Sequence, residues 1–189
     1  CDRFASVEAL DIEQAHLENI SHLKDKYPNL GLIQADLFTF REDCEGYDLI
    51  LCSEVIEHVE NPKAFLKAIC DCLTPGGALV LSTPQPLSFI EVASKIALSP
   101  LVIWLPRLIY KEPILPTGHI SLTSRARIIR YCADNALSLQ HMECFGLYLP
   151  VIAEAFGQFG LRLEKTLERR LKMIGVVWPL WTQLHILRK

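Results

Sequence analysis

No glycine precedes Gly31, and the 189-residue chain holds only nine in all. Glycine lets a backbone approach a phosphate or nucleotide closely, because it has no Cβ and adopts positive φ at little steric cost. A glycine-rich nucleotide loop is thus excluded from everything before Gly31. Paired cysteines are also lacking. The seven cysteines are scattered, and Cys70 and Cys72 have neither zinc nor redox spacing. That excludes a disulfide framework and points to a reducing compartment, with the cytoplasm as the expectation. Cys52, Cys70 and Cys132 fall in apolar runs, where cysteine serves as a small buried hydrophobe. Basic charge is not in excess. A formal net charge of −3 excludes a mainly electrostatic nucleic-acid binder, though not a local basic strip. No run approaches the ~18 apolar residues of a spanning helix. Ile96–Tyr110 comes nearest, but Pro100, Pro106 and Arg107 divide it, so a buried or interfacial cap is expected. An initiating methionine and a signal peptide are absent, and the chain enters a strand within six residues. The expectation is a chain truncated at its amino terminus, with residues 1–6 as the tail of a helix.

What is present is a globular composition, with 50% hydrophobic and 22% charged residues, sufficient for a single domain over 1–189. Val7–Ile12 reads as a short strand closed by Asp11. Glu13–Tyr27 has helical spacing, with Ala15, Leu17, Ile20 and Leu23 apolar, and Pro28-Asn29 stops it. Gly31–Gln34 gives a second strand ending near Asp36. Asp48–Cys52 is a third, continuously apolar after its first residue, as in a strand covered on both faces. Asn61-Pro62 opens a helix whose buried stripe is Ala64, Phe65, Ala68, Ile69 and Cys72. Pro75-Gly76-Gly77 is a tight turn, and Ala78–Thr83 a fourth strand. Strands alternating with helices predict an α/β fold with a doubly wound, mostly parallel sheet.

After Thr83 the rhythm changes. Pro84, Pro86, Pro100, Pro106, Pro113 and Pro116 fall among large apolar side chains, so residues 85–117 are expected to form an inserted lid. A helix over Ser121–Asn135, a strand over Leu137–Phe145, one or two helices over Val151–Met173 and a last strand over Thr182–Leu187 follow.

Ligands of open α/β sheets bind beyond the carboxyl ends of the strands. In Tyr47–Val59 that end carries Glu54, Glu57 and His58, whose i, i+3, i+4 spacing places them on one side of a helical turn. Two carboxylates and an imidazole suit a divalent cation such as magnesium, manganese or zinc. Alternatively His58, with its unperturbed pKa near neutrality, could act as a base, or the cluster could simply shape the loop. His16, His22, His141 and His185 show no ligand spacing.

In order and spacing, Val7-Glu-Ala-Leu-Asp-Ile12, Gln34-Ala-Asp-Leu37, Tyr47–Val59 and Leu73-Thr-Pro-Gly-Gly77 resemble a class I S-adenosylmethionine-dependent methyltransferase. The resemblance runs from Val7 to about Asn135. It is closest to the branch of ubiquinone-pathway O-methyltransferases and small-RNA 2′-O-methyltransferases. It implies a Rossmann-like sheet that lacks, in this chain, the family's first strand and glycine-rich loop. The stretch alone is therefore expected to bind cofactor poorly and to be inactive. By the resemblance, Asp11 accepts hydrogen bonds from the ribose hydroxyls and Ile12 packs on the adenine. Asp36 and the backbone of Leu37 recognise the adenine edge, and Ser53 lies near the methionine end. Read without the resemblance, Asp11 could merely cap the next helix and Asp36 merely end a strand. The resemblance also implies that Glu54, Glu57 and His58 hold a magnesium or manganese ion together with His119, beyond the lid. Such an ion would grip the acceptor hydroxyls and lower the pKa of the one methylated.

The leading expectation is methyl transfer to an oxygen of a small hydrophobic acceptor. Phe89, Ile96, Leu98, Leu101, Val102, Ile103, Trp104, Leu105 and Leu108 of the lid would line its pocket or touch a membrane surface. RNA methylation is the runner-up, with Arg125, Arg127 and Arg130 or Arg162, Lys165, Arg169, Arg170 and Lys172 on phosphates. A solvated helix face is the plainer account of those charges. A non-catalytic, methyltransferase-like binding module is the third reading. Which acceptor and which oligomeric state apply is not written in the motifs.

Overall fold

A computed structural model describes residues 1–42, 44, 46–97, 119–149 and 152–189, in two compact units, Cys1–Gly46 and Tyr47–Lys189. Most of the lid, from Leu98 to Leu108 and on to Gly118, lies outside the described residues.

In the first unit, strand β1 (Val7–Asp11) runs parallel to β2 (Leu30–Gln34), with Val7 opposite Leu30 and Asp11 opposite Gln34. Helix α1 (Gln14–Ile20) connects them and buries Leu17. The sequence predicts one helix to Tyr27, but α1 passes into a tighter 3-10 segment at Ser21–Asp25. The Ser21 hydroxyl donates to the Glu18 carbonyl at 2.8 Å, a local bond of the kind that competes with helix propagation. Residues 2–5 form turns, not the expected helix tail. The Asn29 amide pins them by donating to the carbonyls of Cys1 and Phe4. Beyond β2, the short helix α2 (Leu37–Phe40) is capped by Asp36, whose carboxylate accepts from the Phe38 N–H at 2.7 Å.

The second unit is a four-stranded sheet in the order β3-β4-β6-β5. Strand β3 (Tyr47–Ser53) pairs in parallel with β4 (Leu73–Pro84), and α3 (Pro62–Asp71) crosses between them. Pro62 stands at the first turn of α3, and the Asn61 side chain accepts from the Ala64 N–H. The buried side of α3 carries Phe65, Leu66, Ala68, Ile69 and Cys70, and full burial of a side chain such as Leu66 contributes about 1.5–3 kcal/mol. Strand β6 (Thr182–Arg188) is antiparallel to both β4 and β5 (Ser138–Phe145), so three of the four strands point the same way. The remaining helices are α4 (Phe89–Ala97), α5 (Arg125–Ala133) and α6 (Ile152–Met173), the last interrupted by a non-helical Gly157.

Two expectations change here. The predicted turn at Pro75–Gly77 is absorbed into β4 as an irregularity, where the register against β3 shifts between Tyr47 and Leu49. And β3 is not covered on both faces: Leu49 is 42% and Leu51 71% exposed. An apolar run states what a strand could bury, whereas burial depends on neighbours, and β3 has a sheet neighbour on one edge only among the described residues. The cysteines behave as small hydrophobes. Cys52, Cys70, Cys72, Cys132 and Cys144 are buried, and all seven are free thiols. Burial pushes the Cys52 and Cys132 thiols up to about 12, which makes them poor nucleophiles. Among the described residues, no helix is long and apolar enough to cross a membrane.

Candidate functional site

In the first unit the predicted cofactor residues lie at the carboxyl ends of the two parallel strands. Asp11 ends β1. One of its oxygens accepts from the Glu13 N–H at 2.8 Å, and the other lies 3.0 Å from Nδ1 of His16. The Glu13 N–H chiefly, with His16 adding to it, holds this carboxyl below the usual carboxylate range. A carboxylate has about four acceptor positions, so Asp11 keeps capacity for a diol while anchoring the loop. Ile12 is 60% exposed, an apolar face at the strand end. Asp36, two residues past β2, spends one oxygen on capping α2, whose first residue is Leu37.

In the second unit a polar network occupies the ends of β3 and β4. Consecutive hydroxyls on β4 each hold one carboxylate: Ser82 donates to Glu54 at 2.9 Å, and Thr83 donates to Glu57 at 2.9 Å. Ser53 hydrogen-bonds Ser82 at 2.8 Å. Glu54 is held at φ +54°, a left-handed conformation unusual outside glycine and found most often where a fold over-determines a functional site. Burial raises its pKa, against the opposing pull of the Ser82 hydroxyl. Glu57 and His58 belong to a 3-10 turn, Ile56–His58, and Glu57 is 0% exposed.

The Glu57 carbonyl accepts two N–H groups, from Ile120 and Ser121, each at 3.0 Å. Those bonds dock the segment that carries His119. The His58 and His119 rings stand edge-on with centroids 5.3 Å apart, and one ligand atom from each of Glu57, His58 and His119 falls within 4.8 Å of the others. Glu54 is not part of that group. Among the described residues, Glu57 Oε1 and His119 Nδ1 are both buried with no hydrogen-bond partner, although Glu91 Oε1 lies 3.2 Å from the latter. His58 Nε2 lies 3.8 Å from Glu57 Oε1. A buried polar atom is rarely left so, and Glu57 Oε1 beside the two imidazoles marks a site shaped for something more than the fold. One carboxylate with two imidazoles is a softer set than the expected two carboxylates with two imidazoles, and suits manganese, iron or zinc better than magnesium.

His119 also forms one wall of an apolar pocket of about 520 Å³, shared with Ile90, Glu91, Ser94, Tyr148 and Trp181. Of the predicted lid residues within the description, Phe89 is 42% and Ile96 59% exposed. Three participants were not singled out from the sequence. Ser82 and Thr83 lie within the β4 run, where a pair of consecutive hydroxyls was the available signal. His16 sits five residues past Asp11, within the first turn of α1, and nothing in its spacing linked it to the strand-end carboxylate.

The chain has counterparts among known proteins. Residues 2–163 match the family described as Methyltransferase domain. The chain belongs to that family. Among curated relatives, the methyltransferase domain is 28% identical over 103 residues to the ubiquinone biosynthesis O-methyltransferase of Rickettsia felis, covering 54% of this chain and 42% of that protein. It is 32% identical over 81 residues to the enzyme of the same name from Shewanella sp. (strain ANA-3), covering 42% and 34%. The matched region thus spans less than half the length of these relatives. Its fold is that of solved S-adenosylmethionine-dependent methyltransferases. A structure from Mesorhizobium loti gives a TM-score of 0.62 at 15% identity over 98% of this chain and 81% of that one. The N-methyltransferase NodS from Bradyrhizobium japonicum, with S-adenosyl-L-homocysteine, gives 0.58 at 13% identity over 97% and 66%. The same architecture occurs in the [4+2]-cyclase SpnF, with a TM-score of 0.61 at 10% identity over 97% and 66%. Chemistry must therefore be argued from the site rather than from the fold.

Proposed function

We propose that this methyltransferase domain serves methyl transfer from S-adenosylmethionine to an oxygen of a small, apolar acceptor, of the phenolic kind that its ubiquinone-pathway relatives suggest. The observation that carries the reading is the meeting of Glu57, His58 and His119, from opposite sides of the lid, beside an apolar pocket. A polyanionic acceptor such as RNA has nothing to gain from that lining. The bound cofactor supplies an electrophilic methyl sulfonium. What the protein must add is placement of the acceptor oxygen in line with it and removal of the hydroxyl proton.

In this reading Asp11 takes the ribose hydroxyls, Ile12 packs on the adenine, Asp36 and the backbone N–H of Leu37 meet its edge, and Ser53 stands near the methionine end. Glu57, His58 and His119 would hold a divalent cation of the manganese class, which would act as a Lewis acid on the acceptor oxygen. Glu54, pinned by Ser82 and facing the same end of the sheet, supports the group electrostatically. Without an ion, His58 is the base: its side chain is 47% exposed and Nε2 lies 3.8 Å from the Glu57 carboxylate, which would stabilise the imidazolium.

The test uses a protein containing this chain, labelled S-adenosylmethionine and two acceptors, an alkyl-substituted phenol and a short RNA. Transfer to the phenol that is abolished by His58→Ala supports the reading, and transfer to the RNA alone overturns it. Chelator separates the two roles of His58. Loss of activity restored by manganese supports the ion, whereas full activity in excess chelator leaves His58 as the base. Calorimetry with S-adenosylhomocysteine addresses cofactor binding directly. Undiminished affinity in Asp11→Ala would remove the ribose assignment, since a charged hydrogen bond is worth about 1.5–3 kcal/mol.

A further inference from the structure

Glu91 lies on α4, outside every motif so far invoked, yet it is 4% exposed and its Oε1 is 3.2 Å from His119 Nδ1. A carboxylate is rarely buried to this extent without a task, because desolvating it costs several kcal/mol unless a partner compensates. Its local role is already filled. Ser88 and Glu91 have the spacing of a capping box, in which the acid reaches back to the backbone N–H of the capping residue. Here the Ser88 N–H is bound to the Gln85 carbonyl at 3.1 Å, and Ser88 Oγ accepts from the Glu91 N–H at 3.4 Å. The Glu91 side chain is thereby left to face His119, beside which it lines the apolar pocket. The contact is at ion-pair distance, although its alignment falls short of a hydrogen bond. Bonds of this kind often tighten only when a site is loaded. Glu91 is not among the residues whose ligand atoms converge with Glu57 and His58. It stands one shell behind them.

We propose that Glu91 is the positioning residue for His119. Its carboxylate takes the Nδ1–H of the imidazole and fixes the tautomer in which Nε2 carries the lone pair. An imidazole that ligates a metal typically donates its other N–H to a carboxylate or carbonyl, and loss of that partner weakens the metal about 10–100-fold. An imidazole that accepts a proton needs the same tautomer. The inference rests on the proposed function in giving His119 work to do, but the tautomer itself can be read without metal, cofactor or acceptor.

The experiment is long-range ¹H–¹⁵N correlation on the 189-residue protein at one fixed pH near 8, with His119→Gln to assign the ring. The expected result is an Nδ1–H tautomer for His119, shifted toward Nε2–H in Glu91→Leu and retained in Glu91→Gln, whose amide oxygen can still accept. Manganese affinity, followed by the electron paramagnetic resonance of the free ion, should fall about 10–100-fold in Glu91→Leu and recover substantially in Glu91→Gln. A purely structural glutamate would not produce that rescue together with a tautomer change. An Nε2–H tautomer in the unsubstituted protein overturns the proposal outright, even should Glu91→Leu fail to fold. So does an unchanged tautomer in a folded Glu91→Leu. If the tautomers behave as expected while the unsubstituted protein binds no manganese, the ion is lost from the proposed function and the Glu91 assignment stands.

Discussion

Thr83 and His185 both turn polar atoms into the interior, and each has a measurable consequence. Thr83 is 0% exposed, and its hydroxyl is the hydrogen-bond partner of Glu57 Oε2, the sister oxygen Oε1 having none. Thr83→Val keeps the shape and removes the donor. The Glu57 carboxylate would then be buried with neither oxygen bonded by a side chain, which should cost about 1–3 kcal/mol. Urea unfolding checks this, and a Glu57→Gln, Thr83→Val double variant should recover part of the loss, because the residual charge is what is costly. His185 is also 0% exposed, bonded through Nε2 to Gln183 at 3.2 Å. Burial first, and the Arg125 charge second, depress its pKa from 6.5 to about 4. A depressed folded-state value means that protonation favours the unfolded chain. The stability is therefore complete above about pH 6.5 and is lost as the pH falls toward about 4. At 1.36 kcal/mol per unit, the whole window amounts to about 3 kcal/mol. Comparing urea midpoints near pH 7.5 and near pH 4.5 should show a fall that is smaller in His185→Gln. Equal falls in both proteins would assign the acid sensitivity to other groups.

Among the elements, the turn-like start of β4 is the most demanding of its sequence. A Cβ on Gly77 would lie 2.9 Å from the Thr74 carbonyl oxygen and 3.0 Å from that of Tyr47. Both are backbone atoms that cannot swing aside, so Gly77→Ala should destabilise by about 1–3 kcal/mol, read as a lower melting temperature. Gly76→Ala should also destabilise, for a different reason: it meets no atom within 4 Å, but φ is +81°. The pair explains why this dipeptide could be recognised in the sequence. Its residues are dictated by backbone geometry that any amino acid string must respect. The same holds for Asn61-Pro62 at the start of α3, and for the apolar runs that became β1 to β4. What could not be read was set by tertiary partners. Nothing local distinguishes Glu91, which stands 3.2 Å from His119, from a helix-capping glutamate. Likewise the i, i+3, i+4 spacing of Glu54, Glu57 and His58 suggested a single face. The left-handed backbone at Glu54 instead gives it to Ser82 and leaves Glu57 and His58 to meet His119.

At the scale of the whole molecule, β3 is the element out of balance. Its sequence is that of an interior strand, yet β4 is its sheet neighbour on one edge and no described strand pairs with the other. Leu49 and Leu51 stand 42% and 71% exposed on it. An open edge lined with leucines is a template for pairing with another chain, the situation that natural edge strands avoid with lysine, proline or a bulge. The register shift opposite Tyr47–Leu49 has its extra residues, Thr74–Gly77, in β4, and so does not protect the β3 leucines. The 189-residue protein is therefore expected to self-associate as its concentration rises. Leu51→Lys places a charge where a second strand would have to pack and should shift the protein toward monomer, with helix content and melting temperature little changed because that side chain buries little. Sedimentation velocity over a hundredfold concentration range is the measurement. A protein that stays monomeric throughout, or association that is unaltered by Leu51→Lys, would show that this edge is guarded by something other than the residues it displays.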